Sequence, residues 1–261
     1  MCVQSVYVDA EGSLWVLDPA SPRMQGVQEG GAKLVKLDPE TGEVIWKHVF
    51  NAEVVLPKSY LNDVRIDTRR GFAYITDSGV GGIVVVDLNT GEAYRTLSDH
   101  LSTQHEMTAL VLNGQPYLRN GQIPKINSDG IALTGDGETL YYQALNGRTL
   151  YSVPTQVLRN RKISAQQRQK QVRVVGRTGG ADGILLDSEG NLYLTALETN
   201  AIHRLTPDHQ LEAVVQDDAS IQWPDTLAQG PDGSIYFTTS RIHQTPRPPA
   251  PYGIYRIVRQ R

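Results

Sequence analysis

The chain reads Ala181-Asp182-Gly183-Ile184-Leu185-Leu186-Asp187-Ser188-Glu189-Gly190-Asn191-Leu192-Tyr193-Leu194-Thr195 in its second half, and this pattern decides the fold. A polar pair ending in Asp precedes an apolar run, a turn with Asp and Gly, and a second apolar run that carries one aromatic residue. The two apolar runs predict two strands. Gly190 suits the positive φ that a tight hairpin turn requires.

The same pattern occurs five times along the 261 residues. The copies cover residues 4–16, 62–77, 128–142, 181–195 and 224–238. Further apolar segments, such as 32–37 with 43–48 and 82–88 with 92–97, predict a third and a fourth strand after each hairpin. Strand-rich units repeated every roughly 40 to 60 residues are typical of propeller blades. We therefore predict one all-β domain over residues 1–261, a β-propeller of four-stranded blades with five visible repeats.

The composition argues against two classes of partner. The 25 Lys and Arg residues nearly balance the 28 Asp and Glu residues, and the net charge of -3 does not favour nucleic acid binding. No apolar run is long enough to cross a bilayer, so no membrane association is predicted. The N-terminus has neither the charged nor the apolar region of a signal peptide.

Asp residues stand at the start of the predicted innermost strand in four of the five repeats. They are Asp63, Asp129, Asp182 and Asp225. Inner strands of a propeller begin at one mouth of its central channel, so we expect these side chains to converge there. Such residues can serve only to satisfy backbone donors, but four converging carboxylates repel one another unless a cation or a cationic ligand lies among them.

Several stretches resemble the yellow and major royal jelly protein family, in its bacterial branch. They are residues 59–67, 73–79 and 82–88, together with residues 14–19, 127–133 and 139–142. The resemblance covers almost the whole chain. It implies a six-bladed propeller that is distantly related to the senescence marker protein and gluconolactonase group, so that one blade before Gln4 is absent from the five repeats. An open ring would expose apolar blade faces and strand edges, and we expect closure with five blades or a homodimer through an exposed blade edge.

The resemblance also implies a candidate metal site. The lactonase relatives bind a divalent cation through a Glu of their first blade and through Asn and Asp residues at inner-strand starts. Asn62 matches the Asn, Asp182 matches the Asp, and Asp129 stands where those enzymes carry another Asn, whereas the Glu has no counterpart in this chain. Oxygen donors of this kind favour Ca²⁺ or Mg²⁺.

Four functions stay open at this point. The first is a small-molecule site at the channel mouth, lined by Asn62, Asp63, Asp129, Asp182 and Asp225, where carboxylates bind an amine and aromatic residues such as Tyr60 and Trp223 stack on a ring. The second is a metal-dependent lactonase-like hydrolase with Asp129 or Asp182 as general base. The third is a tautomerase acting on dopachrome-like quinones, with His105 as the histidine to examine, and the fourth is an interaction platform.

Overall fold

A computed structural model describes residues 1–244 and 249–258. The strands form five antiparallel sheets that follow one another along the chain, and each sheet is a simple meander in sequence order. The sheets form the ring of a β-propeller, so the all-β propeller prediction is confirmed. The first blade contains β1 (Ser5–Val8), β2 (Leu14–Asp18), β3 (Lys33–Leu37) and β4 (Val44–Val49), and the second contains β5 (Leu61–Asp67), β6 (Phe72–Asp77), β7 (Ile83–Asp87) and β8 (Ala93–Thr96).

A small hairpin separates the second blade from the third. It consists of β9 (Val111–Leu112) and β10 (Gln115–Pro116), and it lies in the connection between the two blades. The third blade contains β11 (Ser128–Leu133), β12 (Thr139–Ala144), β13 (Thr149–Pro154) and β14 (Arg173–Arg177). The fourth contains β15 (Ala181–Leu186), β16 (Leu192–Ala196), β17 (Ala201–Leu205) and β18 (Leu211–Gln216).

The fifth blade differs from the predicted four-stranded unit. Within the described residues it has three strands, namely β19 (Pro224–Gln229), β20 (Ile235–Thr239) and β21 (Gly253–Ile257). The helices are short: α1 (Thr155–Arg159) and α2 (Ala165–Gln169) connect β13 to β14, and 3-10 turns occur at Pro22–Met24, Leu101–Thr103, Leu197–Thr199 and Ile242–Gln244.

The core lies between neighbouring blades rather than inside any one of them. Val64 and Ile75 of the second blade pack with Leu17 and Leu34 of the first, while Tyr74 and other side chains on the opposite face of the second blade pack with the third. Because a central blade buries both faces, its strands are apolar without alternation, as β7 is. Two further apolar clusters join the third blade to the fourth and the fourth to the fifth.

A β-bulge occurs at the same place in four inner strands. The pairing shifts by one residue between Leu61 and Val64, and the equivalent shifts in β11, β15 and β19 lie at Ser128/Ile131, Ala181/Ile184 and Pro224/Leu227. A bulge places an extra residue opposite one partner and changes the direction of its side chains. Register therefore makes Asn62, not Asp63, the equivalent of Asp129, Asp182 and Asp225, and Asp63 occupies the next position.

In three blades, the hydroxyl group of a threonine on the second strand accepts hydrogen bonds from backbone amides at the bulge. Thr76 Oγ1 accepts a hydrogen bond from the Asp63 amide at 3.1 Å, and Thr195 Oγ1 accepts from the Asp182 and Gly183 amides at 3.0 and 2.8 Å. Thr238 Oγ1 accepts from the amide of residue 226 at 3.1 Å. These side chains pair amide groups that the bulge removes from the strand ladder.

Glycine follows Asp in the third and fourth inner strands because the next strand lies very close. A Cβ added at Gly130 would lie 2.6 Å from the Asp182 carbonyl oxygen. A Cβ added at Gly183 would overlap the Asp225 carbonyl oxygen more severely still. The two glycines thus allow β11, β15 and β19 to approach one another, and the Asp side chains that precede them approach with the strands.

We expect Gly183→Ala to destabilise the protein by about 1–3 kcal/mol, the usual effect of inserting an atom into a filled space. Gly176→Ala is the matched control, because nothing lies within 4 Å of a Cβ at that position in β14. Chemical denaturation of both variants measures the difference. Equal stability of the two variants would contradict the close approach of β15 and β19.

The junction between the fifth and first blades is unlike the other four. Inner strands pack against each other in the pairs β1 with β5, β5 with β11, β11 with β15 and β15 with β19, whereas β1 and β19 line a common cavity. Apolar side chains are exposed on both sides of this junction, with Val6 and Val8 each 59% exposed and Ile254 81% exposed. The predicted exposure of apolar blade faces is thus present. A homodimer through this face stays a prediction, to be measured by light scattering.

Candidate functional site

The polar residues at the inner-strand starts line one cavity of about 580 Å³ inside the ring. All five residues that the sequence proposes for ligand binding are part of its wall: Asn62, Asp63, Asp129, Asp182 and Asp225. The wall also has an apolar portion, contributed by Val6, Val8, Leu14, Ile184, Leu185 and Leu227. The structure therefore brings the predicted residues together, at a place where an enclosed ligand would meet both polar and apolar groups.

Burial raises the pKa of all four carboxyl groups. For Asp63 and Asp225, desolvation is the main cause. For Asp129 and Asp182, desolvation is again the first cause and repulsion among the clustered carboxylates adds to it, so that both pKa values lie well above the ordinary value of 3.8. No ion pair joins any of the four to a Lys, Arg or His of the described residues. Asp129 and Asp182 are buried and Asp63 and Asp225 are half-buried, and the Arg65 charge offsets the raised pKa of Asp63 only in part.

Asp129 and Asp182 form a hydrogen-bonded pair at the centre of the cluster. Asp129 is 3% exposed, and the two carboxyl groups are close enough to hydrogen-bond when one of them is protonated. The raised pKa values favour one proton shared by the pair, as in other close carboxyl pairs. The arrangement provides an acid and a base side by side, and it also provides two negative charges if a bound cation displaces the proton.

Trp223 fixes the position of Asp182. Its Nε1–H donates to Asp182 Oδ2 at 2.6 Å, and its ring packs edge-on against Tyr117 and parallel to His243. The backbone of Trp223 has φ +52°, in the left-handed region that a bulky residue rarely adopts. Backbone strain of about 1–3 kcal/mol at such a residue is common where a functional group must be held in place.

Side chains of the first blade hold the residues of β5. Gln4 Nε2–H donates to Asn62 Oδ1 at 2.7 Å, and the Tyr60 hydroxyl donates to Gln4 Oε1. Ser5 Oγ–H donates to Asp63 Oδ1 at 3.0 Å. These contacts join the first two blades across the cavity mouth. Burial raises the pKa of Tyr60 to about 12, so its hydroxyl keeps its proton.

Arg65 and Tyr7 belong to the cavity but were not among the residues chosen from the sequence. The Arg65 guanidinium lies over the Tyr7 ring, 5.1 Å from its centroid. It donates to the carbonyl oxygens of Val64 at 2.8 Å and Ile184 at 3.0 Å. Because Ile184 lies on β15, the Arg65 side chain reaches from the second blade to the fourth across the channel. The repeats gave no signal for it, since no other inner strand has Arg at this position.

Three residues considered from the sequence lie outside the cavity wall. Trp223 is 2% exposed and contacts the site only through its hydrogen bond to Asp182. Tyr60 contributes through Gln4, and neither aromatic ring faces the cavity, so the predicted ring stacking on these two residues is not supported. His105 hydrogen-bonds Asn127 at 3.0 Å in the connection between the second and third blades and is not part of the wall.

The oxygen atoms at this site meet the coordination requirements of a divalent cation only in part. Asn62, Asp129 and Asp182 supply oxygen atoms, but Asn62 Oδ1 and Asp182 Oδ2 already accept hydrogen bonds from Gln4 and Trp223. Within residues 1–244 and 249–258, no three His, Cys, Asp or Glu side chains are grouped as a metal site. Binding of Ca²⁺ or another divalent cation stays a prediction.

The same described part of the chain contains no helix long and apolar enough to cross a membrane.

Fold and cavity together define a β-propeller with a polar site in its central channel. The family profile described as Major royal jelly protein matches residues 1–247, and the chain belongs to that family. A search of curated protein sequences found no match.

Solved structures with a similar fold have diverse activities. They include an inactive H270A virginiamycin B lyase from Staphylococcus aureus with quinupristin (TM-score 0.54, 14% identity, 90% of this chain and 62% of that one). A gluconolactonase from Xanthomonas campestris is similar as well (TM-score 0.56, 13% identity, 92% and 69%), as is a chain of a nidogen/laminin complex (0.57, 18%, 87% and 70%). At these identities the likeness shows the fold alone. The chain spans 62% and 68% of the lengths of two of the streptogramin-type lyases it matches.

Asp129→Asn tests the electrostatic account of the cluster. Because the folded-state pKa of Asp129 is raised, the contribution of Asp129 to wild-type stability is greatest below the ordinary value of 3.8 and falls as pH rises through the folded-state pKa. An Asn at 129 still donates to Asp182 and does not ionise. At pH 8 we expect a higher melting temperature for the variant, by about 2–4 °C for each ~1 kcal/mol of carboxylate repulsion and desolvation that the substitution removes. At pH 4 we expect little difference.

Asp99→Asn is the control for this experiment, because Asp99 is exposed and does not line the cavity. Thermal unfolding is measured for the three proteins between pH 4 and pH 8. A melting difference between wild type and Asp129→Asn that does not change with pH would contradict the account.

Proposed function

We propose that this protein binds a small cationic amine in its central channel. The observation that carries the proposal is the group of four carboxyl groups in one cavity, two of them buried and two half-buried, with raised pKa values and no described ion-pair partner. An ammonium group supplies the missing positive charge and up to three hydrogen-bond donors. Charge-assisted hydrogen bonds are the stronger class, so burial of the acids becomes favourable once the cation is bound.

The shape and lining of the cavity support the same ligand class. Its volume of about 580 Å³ lies within the range of typical small-molecule sites. Aliphatic side chains of β1 and β15 line one part, and Tyr7 offers an aromatic ring at the same wall. A small organic amine with an apolar or aromatic body would place its charge at the Asp129–Asp182 pair and its body against these side chains.

Calorimetric titration with tryptamine, dopamine and serotonin tests the proposal. We expect Asp182→Asn to weaken binding at least about tenfold, because a hydrogen bond to a charged group contributes about 1.5–3 kcal/mol. Asp99→Asn should bind as the wild type does. Affinity should increase from pH 5 to pH 8, since the cation competes with protons on carboxyls of raised pKa. Absence of binding at millimolar amine would refute the proposal.

A second candidate is proton-transfer catalysis at the same site. The shared proton of Asp129 and Asp182 favours it, because two carboxyl groups with separated roles can act as general acid and general base. Asp129 would protonate the substrate, and Asp182, held by Trp223, would accept a proton from it. Tautomerisation of a dopachrome-like quinone needs these two steps.

The test is the rate of dopachrome decay followed by absorbance. Catalysis that Asp129→Asn lowers by about 10²-fold or more, the usual contribution of a general acid, would support the candidate. Asp99→Asn serves as the control and should retain the wild-type rate. A wild-type rate equal to the uncatalysed rate would remove this candidate and leave amine binding intact.

A divalent cation is the other positively charged ligand that this cluster could take. Asn62, Asp129 and Asp182 would hold it, and it would act as a Lewis acid on a lactone or ester carbonyl when bound. Elemental analysis of the dialysed protein separates this alternative from amine binding.

A further inference from the structure

The channel site contains a positive group as well as the acids. Arg65 lines the same cavity as Asp129 and Asp182, and no carboxylate of the described residues forms an ion pair with it. Its two described hydrogen bonds go to backbone carbonyl oxygens, whereas a guanidinium has five N–H donors. Donors therefore remain for a ligand, and a carboxylate is the group that a planar guanidinium binds best.

The Arg65 guanidinium is held in place before any ligand arrives. The hydrogen bond to Ile184 fixes it across the channel, and the Tyr7 ring supports one of its faces. A long side chain fixed in this way loses little further conformational entropy when it binds an anion, which favours binding. Its sequence position, two residues beyond Asp63, places it about 6–7 Å further along β5.

The acid cluster of this cavity also has an unused group. Asp129 is buried to more than nine-tenths, lines the cavity, and has no described hydrogen-bond donor to its side chain apart from the Asp182 pair. The site thus combines a buried acid that lacks a cation with an oriented guanidinium that interacts electrostatically with Asp63 but forms no ion pair with a described carboxylate. A single molecule with both charges a few atoms apart would satisfy the two ends together.

We infer that the ligand is zwitterionic, an α-amino acid with an apolar or aromatic side chain. Its ammonium group meets Asp129 and Asp182, its carboxylate meets Arg65, and its side chain lies against the apolar wall near Tyr7. This inference rests on the proposed amine site and narrows its ligand. A simple amine satisfies the acids but leaves the Arg65 donors unused, so the carboxylate distinguishes the two ligand classes.

Matched pairs of ligands that differ only in the carboxylate test the inference on the wild-type protein. They are L-tryptophan with tryptamine and L-phenylalanine with phenethylamine, titrated by calorimetry. We expect each amino acid to bind about tenfold or more tightly than its amine. Indole-3-propionate, which has the carboxylate and no ammonium, should not bind. Equal or tighter binding of the amines would overturn the inference while leaving the proposed amine site standing, and no binding of either class would refute both.

Arg65→Gln tests the role of the residue itself. The variant should lose the preference for amino acids and bind tryptamine about as the wild type does, whereas Arg65→Lys should keep part of the preference. A residue that only braces the channel would lower the affinity for both ligands equally. Melting temperatures identify a variant that fails to fold, and the wild-type comparison stands without it.

Discussion

The site depends on the close approach of consecutive inner strands around the channel. Gly130 faces the carbonyl of Asp182, and Gly183 faces the carbonyl of Asp225, at distances that leave no room for a side chain. Asp129 and Asp182 directly precede these glycines, and the carbonyl groups that the glycines face belong to Asp182 and Asp225, so the packing of β11, β15 and β19 also brings these carboxyl groups together. Any residue larger than glycine at these two positions would separate the strands and disperse the cluster.

The bulges direct the polar side chains of these packed strands into the channel. A regular strand would alternate its side chains between the two faces of the blade, and neighbouring polar residues could not both reach the channel. The bulge in β5, β11, β15 and β19 adds one residue. The hydroxyl groups of threonines such as Thr76 and Thr195 accept hydrogen bonds from the backbone amides that the bulge removes from strand pairing. Trp223, with its left-handed backbone, then fixes Asp182 from outside the wall. The strained backbone of Trp223 and the desolvated carboxyl group of Asp182 occur together at this place. A cationic ligand bound there would offset the cost of desolvating the carboxyl group.

Much of the fold could be predicted because its determinants are local and repeated. Hairpin turns with glycine, apolar strands and a recurrent polar pair recur in each copy, and they predicted both the blades and the residues of the cavity wall. The fifth blade was predicted less well, because the repeat pattern predicts a fourth strand that the described residues do not contain. Asp63 was grouped with the other Asp residues by residue type, although the spacing to the next apolar residue of each strand makes Asn62 their equivalent, as the common bulge position confirms.

The sequence by itself determined which side chains begin the inner strands, because strand period and turn chemistry are set by neighbouring residues. Only the tertiary structure decided that Arg65 reaches a carbonyl 119 positions away, that Tyr7 lies beneath it, and that Tyr60 and Trp223 support the site without facing it. These outcomes depend on the distances between blades and on which face of each strand meets the channel. Both are set by how five sheets pack around one axis, and no segment of the chain specifies that packing on its own.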